Sequence, residues 1–135
     1  MTGPLMLLAG LTLTAGIVIG IRWSRIWLAL TTVATVAGLA VALRVLLGGE
    51  IWDWQGNFLI GGEPLHLRLD GVSALFLALV SVVGGAGAVY SREYWSDHEH
   101  PASAPRSRAW WSAFLLSMGL VLTAANGLHF LIAWE

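Results

Sequence analysis

Apolar and polar positions along this 135-residue chain fall into long blocks. Leu5 to Ile21 is an uncharged apolar run that stops at Arg22, Trp23 and Arg25. A second run starts at Ile26 and reaches Leu47, with Arg44 placed to extend its guanidinium toward water. A third, Val72 to Tyr90, stops at Ser91, Arg92 and Glu93; a fourth goes from Ala109 to Ala125, and Leu128 to Glu135 opens a fifth. The first four approach the ~20 residues a helix needs to cross ~30 Å of hydrocarbon. The predicted fold is all-α and integral to a membrane. It has four transmembrane helices at about 5–21, 26–47, 72–90 and 109–125, then the start of a fifth at 128–135.

The segment between the second and third runs has a different period. Leu65, Leu67 and Leu69 alternate with His66, Arg68 and Asp70, and Gly61-Gly62-Glu63-Pro64 separates them from Asn57 to Ile60. This pattern predicts a short β-hairpin over the helix ends. Asp70 then stands where its carboxylate can cap the third helix. Small residues recur at four-residue spacing, at Gly16 and Gly20, at Ala34, Gly38 and Ala42, and at Gly84 and Ala88. In lipid such stripes mark faces where helices approach closely. The Gly84-Gly85-Ala86-Gly87 cluster lies inside a span with no strand before it, so a phosphate loop is not expected there.

Composition agrees with a membrane setting: 57% of residues are hydrophobic and 11% charged, less than half the ~25% charged residues of soluble domains. The net charge of −1 points away from nucleic acid. The absence of cysteine excludes disulfides and thiolate-held metals or clusters. A secretory signal is a poor fit to the first run, because no positive side chain precedes it and the arginines follow it.

The seven basic residues are all arginine. Arg22, Arg25, Arg92, Arg106 and Arg108 fall on one side of the predicted membrane, and Arg44 and Arg68 on the other, beside Glu50, Asp53, Glu63 and Asp70. Positive charge favours the inner side, which places the N-terminus and the hairpin outside. Trp23, Trp27, Trp95, Trp110 and Trp111 are then expected at the inner surface, and Trp52 and Trp54 at the outer one.

Glu135 is the leading candidate for chemistry. The turn Ala124-Ala125-Asn126-Gly127 returns the chain from the outer surface, and eight residues from Leu128 at ~1.5 Å each carry Glu135 about 12 Å inward. A carboxylate at that depth marks an ion pathway or proton relay, or pairs with a cation on another helix. His129 lies six residues earlier and ~120° around the helix, so the two are not expected to share a face. It is either a hydrogen-bonded packing residue or a modulator of the glutamate. Asp97-His98-Glu99-His100 has metal-ligand residue types but reads as a solvated loop, and no metal is expected. Haem would need facing histidines in two spans, and only His129 lies in a span.

Arg68-Leu69-Asp70-Gly71-Val72-Ser73-Ala74-Leu75-Phe76, Tyr90-Ser91-Arg92-Glu93-Tyr94, Phe114-Leu115-Leu116-Ser117-Met118 and Phe130-Leu131-Ile132-Ala133-Trp134-Glu135 carry a resemblance. Residues 65 to 135 resemble the antiporter-like, proton-conducting membrane subunits of complex I and membrane-bound hydrogenases. Within that family they look most like the formate hydrogenlyase subunit three or hydrogenase-four component B branch, whereas the first two helices match only in hydropathy. The resemblance implies that Glu135 is the buried proton-transfer carboxylate of the fifth helix, paired with a lysine of a later helix. It also implies that the chain is the N-terminal part of a larger subunit. Gly127 and His129 depart from the plainer apolar residues the family pattern implies.

The function this leads to is a non-catalytic subunit of the cell inner membrane that translocates protons or sodium for redox chemistry elsewhere in its complex. It would hold no cofactor and no small-molecule substrate. Its partners would be the lipid bilayer and other membrane subunits of a respiratory or hydrogenase complex. The alternatives are a small accessory or assembly protein, or a membrane anchor docking a peripheral enzyme on the loop between Arg92 and Arg108.

Overall fold

The computed structural model describes residues 1–49 and 51–135; Glu50, counted above among the acids on the hairpin side, lies outside the described residues. The chain forms α1 (Thr2–Ile19), α2 (Ser24–Leu46), β1 (Trp52–Ile60), β2 (Glu63–Leu69), α3 (Gly71–Tyr94), α4 (Ala104–Thr123) and α5 (Gly127–Trp134). Helices α1 to α4 pack in a ring, each against the next and α4 back against α1, while α5 lies on α4.

Local chemistry sets the ends of these elements. At the end of α2, Gly48 takes φ +99° and the Gly49 N–H donates to the Arg44 carbonyl at 2.9 Å. A left-handed glycine lets the chain close this Schellman turn without Cβ strain. Asp70 caps α3 as expected, its Oδ1 accepting from the Ser73 N–H at 2.9 Å. Asn126 caps α5 in the same way, accepting from the His129 N–H at 2.8 Å.

The hairpin is present but longer than its sequence signals. β1 starts five residues before Asn57, and Glu63 and Pro64 belong to β2. The turn is Gly61-Gly62 alone, at φ +63° and +90°, closed by the Ile60–Glu63 pair. Two successive positive φ values are what a two-residue primed turn demands, and a glycine pair meets that demand without strain. Pro64 is tolerated because the sheet has only two strands and each is an edge.

Helix boundaries also move: α1 already starts at Thr2, three residues before Leu5. α3 continues through Ser91, Arg92 and Glu93 to Tyr94, and α4 starts at Ala104, five residues before Ala109. Polar residues end an apolar run but do not break a helix, so hydropathy located where the polar flank begins and not where hydrogen bonding stops. Pro105 at the start of α4 removes an N–H that would lack a partner there anyway.

Three helices, α1, α2 and α3, are long and apolar enough to cross a membrane. That is fewer than the four crossings and start of a fifth expected from the runs. α4 has 20 residues but opens with Pro105, Arg106, Ser107 and Arg108, and α5 has 8 residues.

All seven small residues of the predicted stripes are buried. A Cβ on Gly16 would meet Ser112 Oγ at 2.8 Å, one on Gly38 would meet Ser81 Oγ at 2.7 Å, and one on Gly84 would meet Leu115 at 2.6 Å. At the hairpin end the core is Val41, Ala42, Val45, Leu69, Ala74 and Leu77, so the last residue of β2 plugs the gap between α2 and α3. The hairpin is also tied to the end of α4: Leu67 bridges to Ala124, and the Ala125 N–H donates to the His66 carbonyl at 3.0 Å.

Candidate functional site

Beneath the hairpin, α4, α5 and β2 line an open pocket of about 560 Å³, with Ile17 of α1 and Ile60 of β1 at its edge. Its lining is apolar apart from Ser117, His129 and Glu135. Glu135 caps the C-terminal end of α5, its N–H donating to the Leu131 carbonyl at 3.1 Å; it is exposed and is one of the residues lining the pocket. The Ser117 hydroxyl donates to the Ala133 carbonyl and so fixes the last turn of α5 on α4.

His129 is buried at 6% exposure. Its Nε2 lies 3.3 Å from the Ile60 carbonyl at the end of β1, and its Nδ1 has no hydrogen-bond partner among the described residues. His129 and Glu135, expected ~120° apart around the helix, both line this pocket. Glu135 lies past the last helical residue of α5, so a fixed 100° step does not set its direction.

The opposite end of the bundle holds a second polar cluster that sequence reasoning used only for its charge. There Arg108 is buried. Its Nε donates to the Gly20 carbonyl at 2.7 Å and its Nη1 to Asp97 Oδ1 at 2.6 Å. Trp27, 1% exposed, donates from Nε1 to Ser112 Oγ at 2.9 Å, and Trp111 donates to the Gly84 carbonyl at 3.2 Å. Trp23 and Trp110 are exposed as a surface belt requires, but Trp27 and Trp111 belong to the helix packing. Composition places an indole near the interface; only the rotation of its helix decides whether it meets headgroups or a neighbouring backbone.

The loop from 95 to 103 is organised by stacking. Trp95 lies on His100 with ring centroids 3.6 Å apart, and its Nε1 donates to Ser103 Oγ at 3.1 Å. Of the Asp97-His98-Glu99-His100 run, Asp97 is engaged by Arg108 and His100 by Trp95. Across the hairpin, His66 Nε2 lies 3.0 Å from Asp53 Oδ1. At the α3 cap, the Ser73 N–H, helped by Arg68, holds the Asp70 carboxyl below its ordinary value against a smaller opposing push from burial.

No family model matches the chain. Similar proteins include one named as antiporter subunit mnhA2 of Staphylococcus saprophyticus, 34% identical over 60% of this chain and 11% of its own length. A protein of Rhizobium meliloti named as part of a K(+)/H(+) antiporter is 32% identical over 85% of this chain and 11% of its own length. The NADH-quinone oxidoreductase subunit L of Escherichia coli is 31% identical over 84% of this chain and 20% of its own length. Two of the three are thus named as antiporter subunits and the third as a quinone oxidoreductase subunit. The chain spans about a tenth to a fifth of their length. With three helices able to cross a bilayer, the chain is an integral membrane protein.

Proposed function

We propose that this chain is part of a longer membrane subunit that translocates protons or sodium, with Glu135 as its protonatable carboxylate. The observation that carries this reading is the placement of Glu135 on a largely apolar cavity at the end of α5. Likeness to two antiporter components and to a quinone oxidoreductase component supports it. In this reading α4 is the fourth crossing and α5 the start of a fifth. The N-terminus and the hairpin face outside, the five-arginine end faces the cell interior, and the host is the inner membrane. The resemblance of residues 65 to 135 to the hydrogenase-type branch of the family favours such a complex as the partner assembly.

The mechanism needs little from the protein beyond placement. A carboxyl group away from bulk water changes its protonation when a counter-charge approaches or leaves, and that change couples to ion movement. His129 is the second ionisable side chain on the same cavity and the candidate modulator.

The test is Glu135→Gln in native membranes, with complex abundance and ion translocation measured together. A relay predicts normal abundance with translocation lost, since the amide keeps shape and hydrogen bonding. An ion pair predicts reduced abundance, because removing one partner of a buried pair costs about 3–5 kcal/mol. Normal abundance with normal translocation would overturn the proposal.

A further inference from the structure

We infer that the polar pocket at the Arg108 end of the bundle binds the phosphate of an anionic phospholipid headgroup. Arg92, the free edge of Arg108 and the start of α2 would hold it. The pocket has a volume of about 140 Å³ and lies between the first turn of α2, the last turn of α3, the loop after it and the start of α4. Sites that enclose a whole small molecule measure ~300–1,000 Å³, so this one suits a single charged group and not a nucleotide or cofactor.

Its chemistry points to an anion, because uncommitted donors outnumber acceptors. Arg108 is 7% exposed and bonded through Nε and Nη1, yet its Nη2 makes no hydrogen bond among the described residues and still meets solvent. Asp97, the one acid on the pocket among the described residues, is matched by Arg108 Nη1 at 2.6 Å. Arg92 has no ion pair among the described residues. The Ser96 hydroxyl accepts from the Glu99 N–H and keeps its hydrogen to give, and Ser24 brings a second hydroxyl. At the start of α2, Trp23 offers no capping side chain and no acid stands in the first turn. The Ser24, Arg25 and Ile26 N–H groups therefore lack a helical partner, and the positive end of the helix dipole lies at Ser24.

Depth identifies the source of the phosphate. Ser24 opens α2 and Arg92 stands in the last turn of α3, and both helices are able to cross a membrane. The pocket therefore lies at the level where the headgroups of a bilayer begin. Basic pockets between membrane helices suit anionic headgroups, and arginine grips phosphate oxygens through paired N–H donors. Trp23 and Trp95 are exposed next to it in the chain, as indoles in the headgroup layer are. Ile21 and Ile26, exposed on either side of Ser24 in the chain, offer apolar surface for acyl chains. A phosphate bound here ties the start of α2 to the end of α3 and the start of α4.

Native mass spectrometry tests this on the protein purified from its own membranes in detergent, with phosphatidylglycerol, phosphatidylcholine or inorganic phosphate added. Phosphatidylglycerol should be retained in preference to phosphatidylcholine, and equal retention overturns the inference. Displacement of the lipid by inorganic phosphate at matching concentration shows a free-anion site and overturns the lipid source. Arg92→Gln should raise the dissociation constant for phosphatidylglycerol about tenfold or more, the worth of a charge-assisted hydrogen bond. Arg106→Gln removes the same charge from the same end but outside the pocket, and should cost about fivefold at most. Equal losses in the two variants overturn the site. Ser24→Asp separates binding from folding, because a carboxylate in the first turn suits the helix dipole and repels a phosphate. Its thermal stability in detergent without added lipid should hold while retention of phosphatidylglycerol falls; unchanged retention also overturns the inference. If its stability falls instead, the comparison of Arg92→Gln with Arg106→Gln decides.

Discussion

Arg108, in the second turn of α4, donates from Nε to the carbonyl of Gly20, the residue that ends α1, at 2.7 Å. The last carbonyls of a helix have no partner within it, so this contact completes one of them and joins α1 to α4. The same guanidinium holds Asp97, which anchors the loop between α3 and α4. A planar fork reaches two acceptors from nitrogens set apart, whereas an ammonium offers its three donors from a single point.

Replacement of Arg108 should therefore loosen both ends. Arg108→Leu leaves the Gly20 carbonyl unsatisfied and should cost about 1–3 kcal/mol. Arg108→Lys should recover only part of this. Asp97→Asn should cost less, about 1 kcal/mol, because Asp97 is half exposed to solvent. Thermal unfolding in detergent micelles ranks the three; equal loss for Asp97→Asn and Arg108→Leu would contradict the role given to Gly20.

Ser112 is the acceptor for the Trp27 indole and is fully buried. Ser112→Ala strands that N–H and should destabilise the bundle by about 0.6–2 kcal/mol, the range of hydrogen bonds between membrane helices. Gly16→Val drives a side chain into Ser112 Oγ and should cost about 1–3 kcal/mol by overpacking. The two sites touch, so a double-mutant cycle should show coupling; simple additivity would separate them.

Asp70 sets an acid limit on the α3 cap. Its folded pKa lies below the ordinary 3.8, so its stabilisation is fully present above that pH and is lost as the pH falls through the folded value. Asp70→Asn keeps a capping oxygen and removes the acid-sensitive part. Amide exchange at Ser73 should accelerate below pH 3.8 in the wild type. In the Asp70→Asn variant it should be nearly pH-independent once intrinsic exchange is subtracted. A parallel response in both would rule out the carboxylate as the cap.

Orientation can be read with thiols, since the chain has no cysteine. Asn57 in β1 and Ser96 in the α3–α4 loop lie at opposite ends of the bundle. An impermeant reagent added outside intact cells should label Asn57→Cys and spare Ser96→Cys. The reverse pattern would invert the proposed topology.

Much of this architecture was legible in the linear pattern because a bilayer and a helix each impose one simple rule. Uninterrupted apolar length marked the helices, a period of two with a glycine pair marked the hairpin, and Asp70 stood where a cap is required. The small-residue stripes likewise named buried faces, since close helix approach needs small side chains wherever it occurs. What the pattern could not carry was rotation and reach. Trp23 and Trp27 look alike in sequence, yet one faces outward and the other donates to Ser112, because helix packing chose the face. Arg108 counted as one interfacial charge until the fold brought Gly20 and Asp97 to it from 88 and 11 residues away. His129 and Glu135 share a pocket because α4 and the hairpin line it with them, and the Ile60 carbonyl that meets His129 Nε2 lies 69 residues away in the chain. Local propensity and solvent partition act on neighbours along the chain, so sequence alone determined the elements and their membrane setting. Which polar atoms meet is settled by contacts between distant segments, and those the tertiary structure decided.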